Sequence, residues 1–246
     1  MNTDVFREFE KNISHLLGHI NSLDLLAQFA QEKISELKKT GKNPTFVVHG
    51  VDPKEQIKYD KILGVVKIQL SDADKLINFV VMTTCKNSLV SLVAIVEDYL
   101  KSICYHIIQT KPEVFKSAKE LKLTYKEIIE LKNNQNLIDK MLNKIISGLT
   151  RNNIADSFKE LFAKQFGWDI NHLKKELTLL KDTSAERNII VHNQSKVNQK
   201  FLSVISEPNK YKIDDEIIIG PKGLRKRTYS TIDVVKKFDD IVVSKI

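Results

Sequence analysis

Apolar residues recur at three- and four-residue steps along most of this chain, the spacing of one face of a helix. Phe6, Phe9, Ile13, Leu16, Leu17 and Ile20 set the pattern, which resumes after Asn21-Ser22 through Leu23, Leu25, Leu26, Phe29, Ile34 and Leu37. This predicts one long helix over residues 3–40, or two with a break at Gly18 to Ser22. Lys38 to Pro44 is a stop signal and a loop. Thr45 to His49 reads as a short strand, with His49 a surface or turn residue. Asp52-Pro53 reads as the cap of a short helix over residues 53–63.

Ser71 to Asp74 is a second helix start, and Asp72 and Asp74 there suit the positive end of a helix better than a metal. From Leu76 to Ile108 the chain is apolar nearly all round, until Thr110-Lys111-Pro112 stops it. A helix of that kind belongs at the centre of a bundle. Further helical units follow over 116–121, from Thr124, through Ile138 to Ile146, and from Asn153 or Asp156 to Gly167. Another opens at Asp169-Ile170-Asn171 and holds Leu173, Leu177 and Leu180. Trp168 reads as a core or staple residue and His172 as a surface one. Thr183-Ser184-Ala185-Glu186 has the form of a capping box, which predicts a new helix from Thr183. Beyond it lie a short turn at Gln199 to Leu202, a small hairpin built from Tyr211 to Ile213 and Glu216 to Ile219, and a closing helix from Ser230 to Val243.

The expectation is therefore an all-α helical bundle. It has an N-terminal helical extension (1–70), a helical core (71–205), and a C-terminal hairpin and helix packed on that core (206–246). Only 8 Gly and 5 Pro in 246 residues agree with helices over a loop-rich β fold. Cys85 and Cys104 have no metal or redox spacing and read as reduced thiols. The charged N-terminus does not resemble a signal peptide, and no uninterrupted apolar run suggests a membrane span, so a cytoplasmic protein is expected. A net charge of +8 permits binding to a polyanion without requiring it.

One stretch carries candidate chemistry: Arg187-Asn188-Ile189-Ile190-Val191-His192-Asn193. Asn188 and His192 are four apart and share a helix face, and a long Arg187 side chain can swing toward them. In the central helix, Glu97 and Asp98 interrupt the apolar stripe. A buried carboxylate there would need a partner, and Arg187 is the natural one; the plain alternative is that both acids face solvent. Arg225-Lys226-Arg227 is a compact basic cluster, either a solvated turn or a set of phosphate contacts.

R-N-x-x-x-H near the start of a late helix resembles the Arg-x4-6-His signature of the HEPN superfamily. Ser91 to Leu100, with Glu97 and Asp98, resembles the core helix from which an acidic residue points at that motif. The resemblance implies a metal-independent endoribonuclease needing no cofactor, of the kind found in toxin–antitoxin, abortive-infection and antiviral defence systems. It implies Arg187, Asn188 and His192 as catalytic residues supported by Glu97 and Asp98. It also implies an RNA substrate, a homodimer with a composite site, and a possible antitoxin or regulatory partner. Other members of the superfamily have lost activity and bind RNA, nucleotide or a partner protein.

Overall fold

The longest apolar run organises the molecule. In the computed structural model, which describes residues 2–41, 45–48, 66–117, 124, 125, 140 and 153–246, that run is one continuous helix, α2 (Leu70–Thr110). Lys111, kept out of the helical conformation by the following proline, ends it. By length and composition α2 is apolar enough to cross a membrane, but here it is the helix on which the bundle packs. Its buried residues, from Val81 through Leu92, Val96 and Ile103 to Ile107, form one broad face, wide enough to receive more than one neighbouring helix.

Helix α1 (Asp4–Lys39) lies along α2 and is unbroken. Thr3 caps it by accepting from the Phe6 amide at 3.0 Å. Gly18 does not interrupt it, because an exposed glycine with nothing within 4 Å of its Cβ position leaves the ladder intact. Phe6, Phe9, Ile13, Leu16 and Ile20 form its buried face. Strand β1 (Thr45–Val48) pairs antiparallel with β2 (Val66–Gln69) in register Thr45 to Gln69, a two-stranded ribbon joining the ends of α1 and α2. The helices expected over 53–63, from Thr124 and through Ile138 to Ile146 fall largely or wholly outside the described residues.

After a 3-10 turn at Pro112–Ser117, the described chain resumes with α3 (Ile154–Phe158), capped by the Asn153 side chain on the Asp156 amide at 3.0 Å. It runs on as a π-helical turn, Lys159–Gln165, closed at Gly167 in the left-handed region. Phe158, Phe162, Phe166 and Trp168 stack along this turn, and Phe238 meets Phe158 at 4.2 Å between ring centroids. Helix α4 (Lys174–His192), the short α5 (Gln199–Leu202) and α6 (Pro221–Lys245) complete the bundle. Helix α6 packs on α1, α2 and α4, and one apolar core runs from Phe6 to Val242.

Two expectations fail here. The C-terminal hairpin does not form. Instead residues 214–217 pair with the loop after α4: Val197 donates to the Asp215 carbonyl at 2.8 Å and Ile217 donates to that of Ser195 at 2.8 Å. Two short apolar stretches read as partners of each other, but the nearer free backbone belonged to residues 195–197. The closing helix also starts nine residues earlier than Ser230, at Pro221, whose missing N–H costs nothing in the first turn.

One buried polar knot ties the termini together. Asp239 is fully buried and accepts from the Thr3 amide at 3.0 Å, from the Thr3 hydroxyl, and from the Tyr99 hydroxyl at 3.3 Å. Burial, and then the Asp239 charge, push the Tyr99 phenol well above its ordinary range. Burial also pushes Cys104 up to about 12, and burial with the Asp24 charge pushes Cys85 up to about 11, against 9.0 for a free thiol. All three groups keep their protons in the folded chain at pH values where the unfolded chain releases them. Their contribution is therefore complete below pH 9 and is lost as pH rises above it. Denaturant titrations should show stability falling steeply above that pH, with Cys104→Ala flattening part of the slope. Asp239→Ala should cost about 2–3 kcal/mol at neutral pH, because it orphans buried donors at Thr3 and Tyr99.

Candidate active site

Helix α4 does not begin at Thr183. It begins at Lys174, after a 3-10 turn at Asn171–Leu173, so the Thr183 to Glu186 segment lies in its middle. The apparent capping box serves other ends. Thr183 Oγ1 donates back to the Leu179 carbonyl at 2.9 Å, and Ser184 Oγ accepts from the Ile154 amide at 3.4 Å. All four residues are buried. The Arg-Asn-His motif therefore sits at the end of a helix, and His192 is its last residue.

At about 100° per residue, Glu186 and the end of the motif point in different directions. Asp182 and Glu186 face a cleft of about 260 Å³ between α4, α6 and the 205–211 loop, also lined by Lys210, Tyr211, Lys226 and Arg227. Asn188, Val191 and His192 occupy the opposite arc, and all three are exposed. The cleft beside α4 is thus not where the motif points.

Arg187 lies between the two arcs and is half-buried. Its Nη1 donates to the Asn188 Oδ1 at 3.0 Å, and its Nε is buried with no acceptor. No hydrogen bond or ion pair joins it to Glu97 or Asp98 among the described residues. Asp98 is exposed and Glu97 half-exposed, so the expected support from the central helix is not made. Those two acids sit where α2 meets solvent.

The basic cluster is also placed differently from the expected phosphate contacts. Arg225, Lys226 and Arg227 lie in the first turns of α6, not in a loop. Cations near the positive end of a helix are disfavoured unless paired, and two of them are paired. Arg225 meets Asp24 at 2.7 Å. Arg227 takes Glu186 with both Nε and Nη2, the first at 2.7 Å, in a fork on a carboxylate whose side chain is 5% exposed. Burial works against the Arg227 charge, but the hydrogen bonds and charge of Glu186 outweigh it and hold its pKa above the ordinary guanidinium value. Only Lys226 of the three is exposed.

Sequence reasoning missed Glu186 as a functional group of the fold, having read it as a cap. The available signal was its position, since Leu179, Thr183 and Glu186 continue one face of the preceding helix. It also missed the loop that follows. Gln194 and Ser195 both adopt left-handed backbone, φ 52° and 66°, and the Asn193 side chain donates to the Lys196 carbonyl, turning the chain back beside the end of α4. This leaves Lys196 exposed close behind His192. Among the described residues, no three or more of His, Cys, Asp and Glu gather where they could hold a metal ion.

Removing Arg227 should leave Glu186 charged and buried without a partner, so Arg227→Ala should destabilise the chain by about 3–5 kcal/mol in a urea titration. Arg187→Ala removes no acid partner and should change stability by less than about 1 kcal/mol. A loss of similar size in both variants would contradict the division drawn between them.

No family model, no curated protein and no solved structure matches this chain.

Proposed function

We propose that the protein is a metal-independent endoribonuclease of HEPN type, acting in toxin or antiviral defence as a homodimer with a composite site at the ends of the two α4 helices. The observation that carries this reading is the state of Arg187. Arg225 and Arg227 are each neutralised by a carboxylate, whereas among the described residues Arg187 has only the neutral Asn188 as partner and a buried Nε without an acceptor. A phosphate oxygen would neutralise this charge by meeting the rest of the half-buried guanidinium, the Nε itself being closed to solvent. His192 and Asn188 stand exposed on the same side of the same helix end, and no hydrogen bond or ion pair engages His192 among the described residues.

The chemistry needs three things. A base removes the proton of an RNA 2′-hydroxyl while its oxygen bonds to the adjacent phosphorus. An acid protonates the 5′-oxygen as the P–O5′ bond breaks, leaving a 2′,3′-cyclic phosphate. A cation meets the charge gathering on the phosphorane oxygens. His192 suits the first role, because imidazole exchanges protons near neutrality. Arg187 suits the third through its planar fork. Asn188 positions Arg187 by accepting from it. One imidazole does not serve as base and acid in the same step, so His192 of a second copy supplies the acid across a two-fold axis. Val191, 48% exposed between Asn188 and His192, gives that contact an apolar centre.

The helix end sets a further condition. A C-terminal end carries partial negative charge and repels phosphate. Anion binding there would depend on side chains, on Arg187 first and on Lys196, whose charge already acts on Glu216, in preference to the paired Arg225 and Arg227. The solvent-facing Glu97 and Asp98, which do not support the motif, favour a second reading, an inactive module that binds RNA or a partner protein without turnover.

Purified protein incubated with RNA in EDTA should cleave it and leave cyclic phosphate ends. His192→Ala should lower the rate by about 10²–10⁴-fold and Arg187→Ala by about 10²-fold. Lys196→Ala should weaken RNA binding, and Arg225→Ala should not act through phosphate contact. RNA binding with no cleavage selects the inactive module, and cleavage that persists in both motif variants sinks the proposed site.

A further inference from the structure

The outer half of the α1–α2 pair carries a surface of a different kind from the rest of these helices. Over residues 4–22 of α1, every exposed side chain is polar or is Gly18. Over residues 86–110 of α2, no large apolar side chain is exposed. Beyond that level the two helices continue as an arm, residues 25–39 against 70–84, and six large apolar residues are exposed on it. These are Leu25, Leu26 and Phe29 on α1 and Leu76, Phe79 and Val80 on α2, between 38% and 68% exposed. The arm buries little of its own: Ile34, Leu70 and Ala73 form a small cluster, with Leu37 and Ile77 packed against it.

The exposed residues share a side. The helices run antiparallel, with Lys38 on Asp74 at one level and Asp24 acting on Cys85 at another. At about 100° per residue, Leu26 and Phe29 lie roughly 70–130° around α1 from the direction of α2. Leu76 and Val80 lie at a similar angle, in the same rotational sense, around α2. For antiparallel helices that puts all four on one side of the pair, with Leu25 and Phe79 along its outer edge. Asp24 and Met82 fall on the other side, where they meet Arg225 and Gly220 of α6. So α6 meets the pair on that other side, at the base of the arm, and the apolar side of the arm stays exposed.

We propose that this apolar side is a self-association surface, on which the arm of a second copy lies face to face across a two-fold axis, giving a four-helix layer. At the stated exposures the six side chains hold on the order of 700 Å² per chain, so pairing two arms approaches the interface of a stable dimer. Charge also favours a copy. Lys33, Lys38 and Lys39 balance Glu32 and Glu36 on α1, with Lys75 against Asp72 and Asp74 on α2, so the arm is neutral in a chain of net charge +8. A neutral surface neither repels its twin nor attracts a polyanion or an acidic lipid. This contact is separate from the one at the end of α4 and stands without it.

Sedimentation of the full chain tests it, comparing wild type with Phe29→Glu/Phe79→Glu and with Val191→Glu. Both arm positions are exposed, so circular dichroism should show the variant folded. The arm variant should lose one association step, its dissociation constant rising by at least about tenfold, while Val191→Glu keeps that step. A single spin label at Asn78→Cys, exposed on the side of the arm away from the apolar residues, should report one label pair within about 50 Å. A monomeric wild type at about 100 µM, an arm variant that associates like wild type, or association lost only in Val191→Glu would each overturn the proposal. So would wild-type binding to neutral phosphatidylcholine vesicles that the arm variant lacks, which would put lipid on that face.

Discussion

A carboxylate taken out of water must find donors: Asp239 finds neutral ones, and Glu186 finds a cation. Glu186 lies in the middle of α4 on a side closed by α6, and a helix cannot turn such a side chain out to water without moving the whole turn. Arg227 answers it with a two-pronged contact from the neighbouring helix. Much follows from this pair. It fixes the register of α4 against α6, and it neutralises a cation that the sequence alone offers to RNA. It also sets the rotation of the next residues. Arg187 comes out about 100° further round, past the acid and half out of the core, with its charge uncommitted. Within one turn of helix the fold thus separates a structural arginine pair from an arginine available for other work.

The long apolar run of α2 was legible from sequence because periodicity over forty residues has few competing explanations, and the Pro112 stop is nearly deterministic. The α1 face, a helix start at Asn153 or Asp156 and a stop at Gly167 were legible for the same kind of reason, since each is a local rule acting on local atoms. Thr183 to Glu186 was misread because a hydroxyl followed by Glu is a local signature that says nothing of what lies beside the helix. Ile154 supplied the donor that Ser184 accepts, and Arg227 supplied the partner of Glu186; neither is visible from the residues in between. The hairpin failed similarly, because strand pairing is decided by which backbone is nearby, and the Gln194-Ser195 turn brought residues 195–197 there first.

The candidate site was half legible. The spacing of Asn188 and His192 placed them together on one side, and they are exposed there. What spacing did not convey is polarity along the helix. Placed at a helix start, the motif would have had amide groups to hold a phosphate; placed at the end, it has carbonyls that repel one. Binding then rests on cationic side chains, and a second chain becomes more than a source of the missing acid. In the proposed dimer it would also bring a second Arg187 and a second Lys196, which would offset the unfavourable end charges of both helices.

Two self-complementary surfaces on one chain are not equivalent to one. Each generates its own two-fold axis, and engaging both closes into a ring only if the axes meet; otherwise the copies extend as an open chain. The arm and the end of α4 differ in character. The arm offers a wide apolar side with balanced charge, which suits lasting contact. The end of α4 offers one exposed valine among polar groups, which suits a weak contact strengthened by a bound polyanion. Arms that pair first raise the local concentration of motif helices. On the proposed reading, the composite site would then form between chains already held in pairs, and RNA bridging the ends of the two α4 helices would favour the assembly able to cut it.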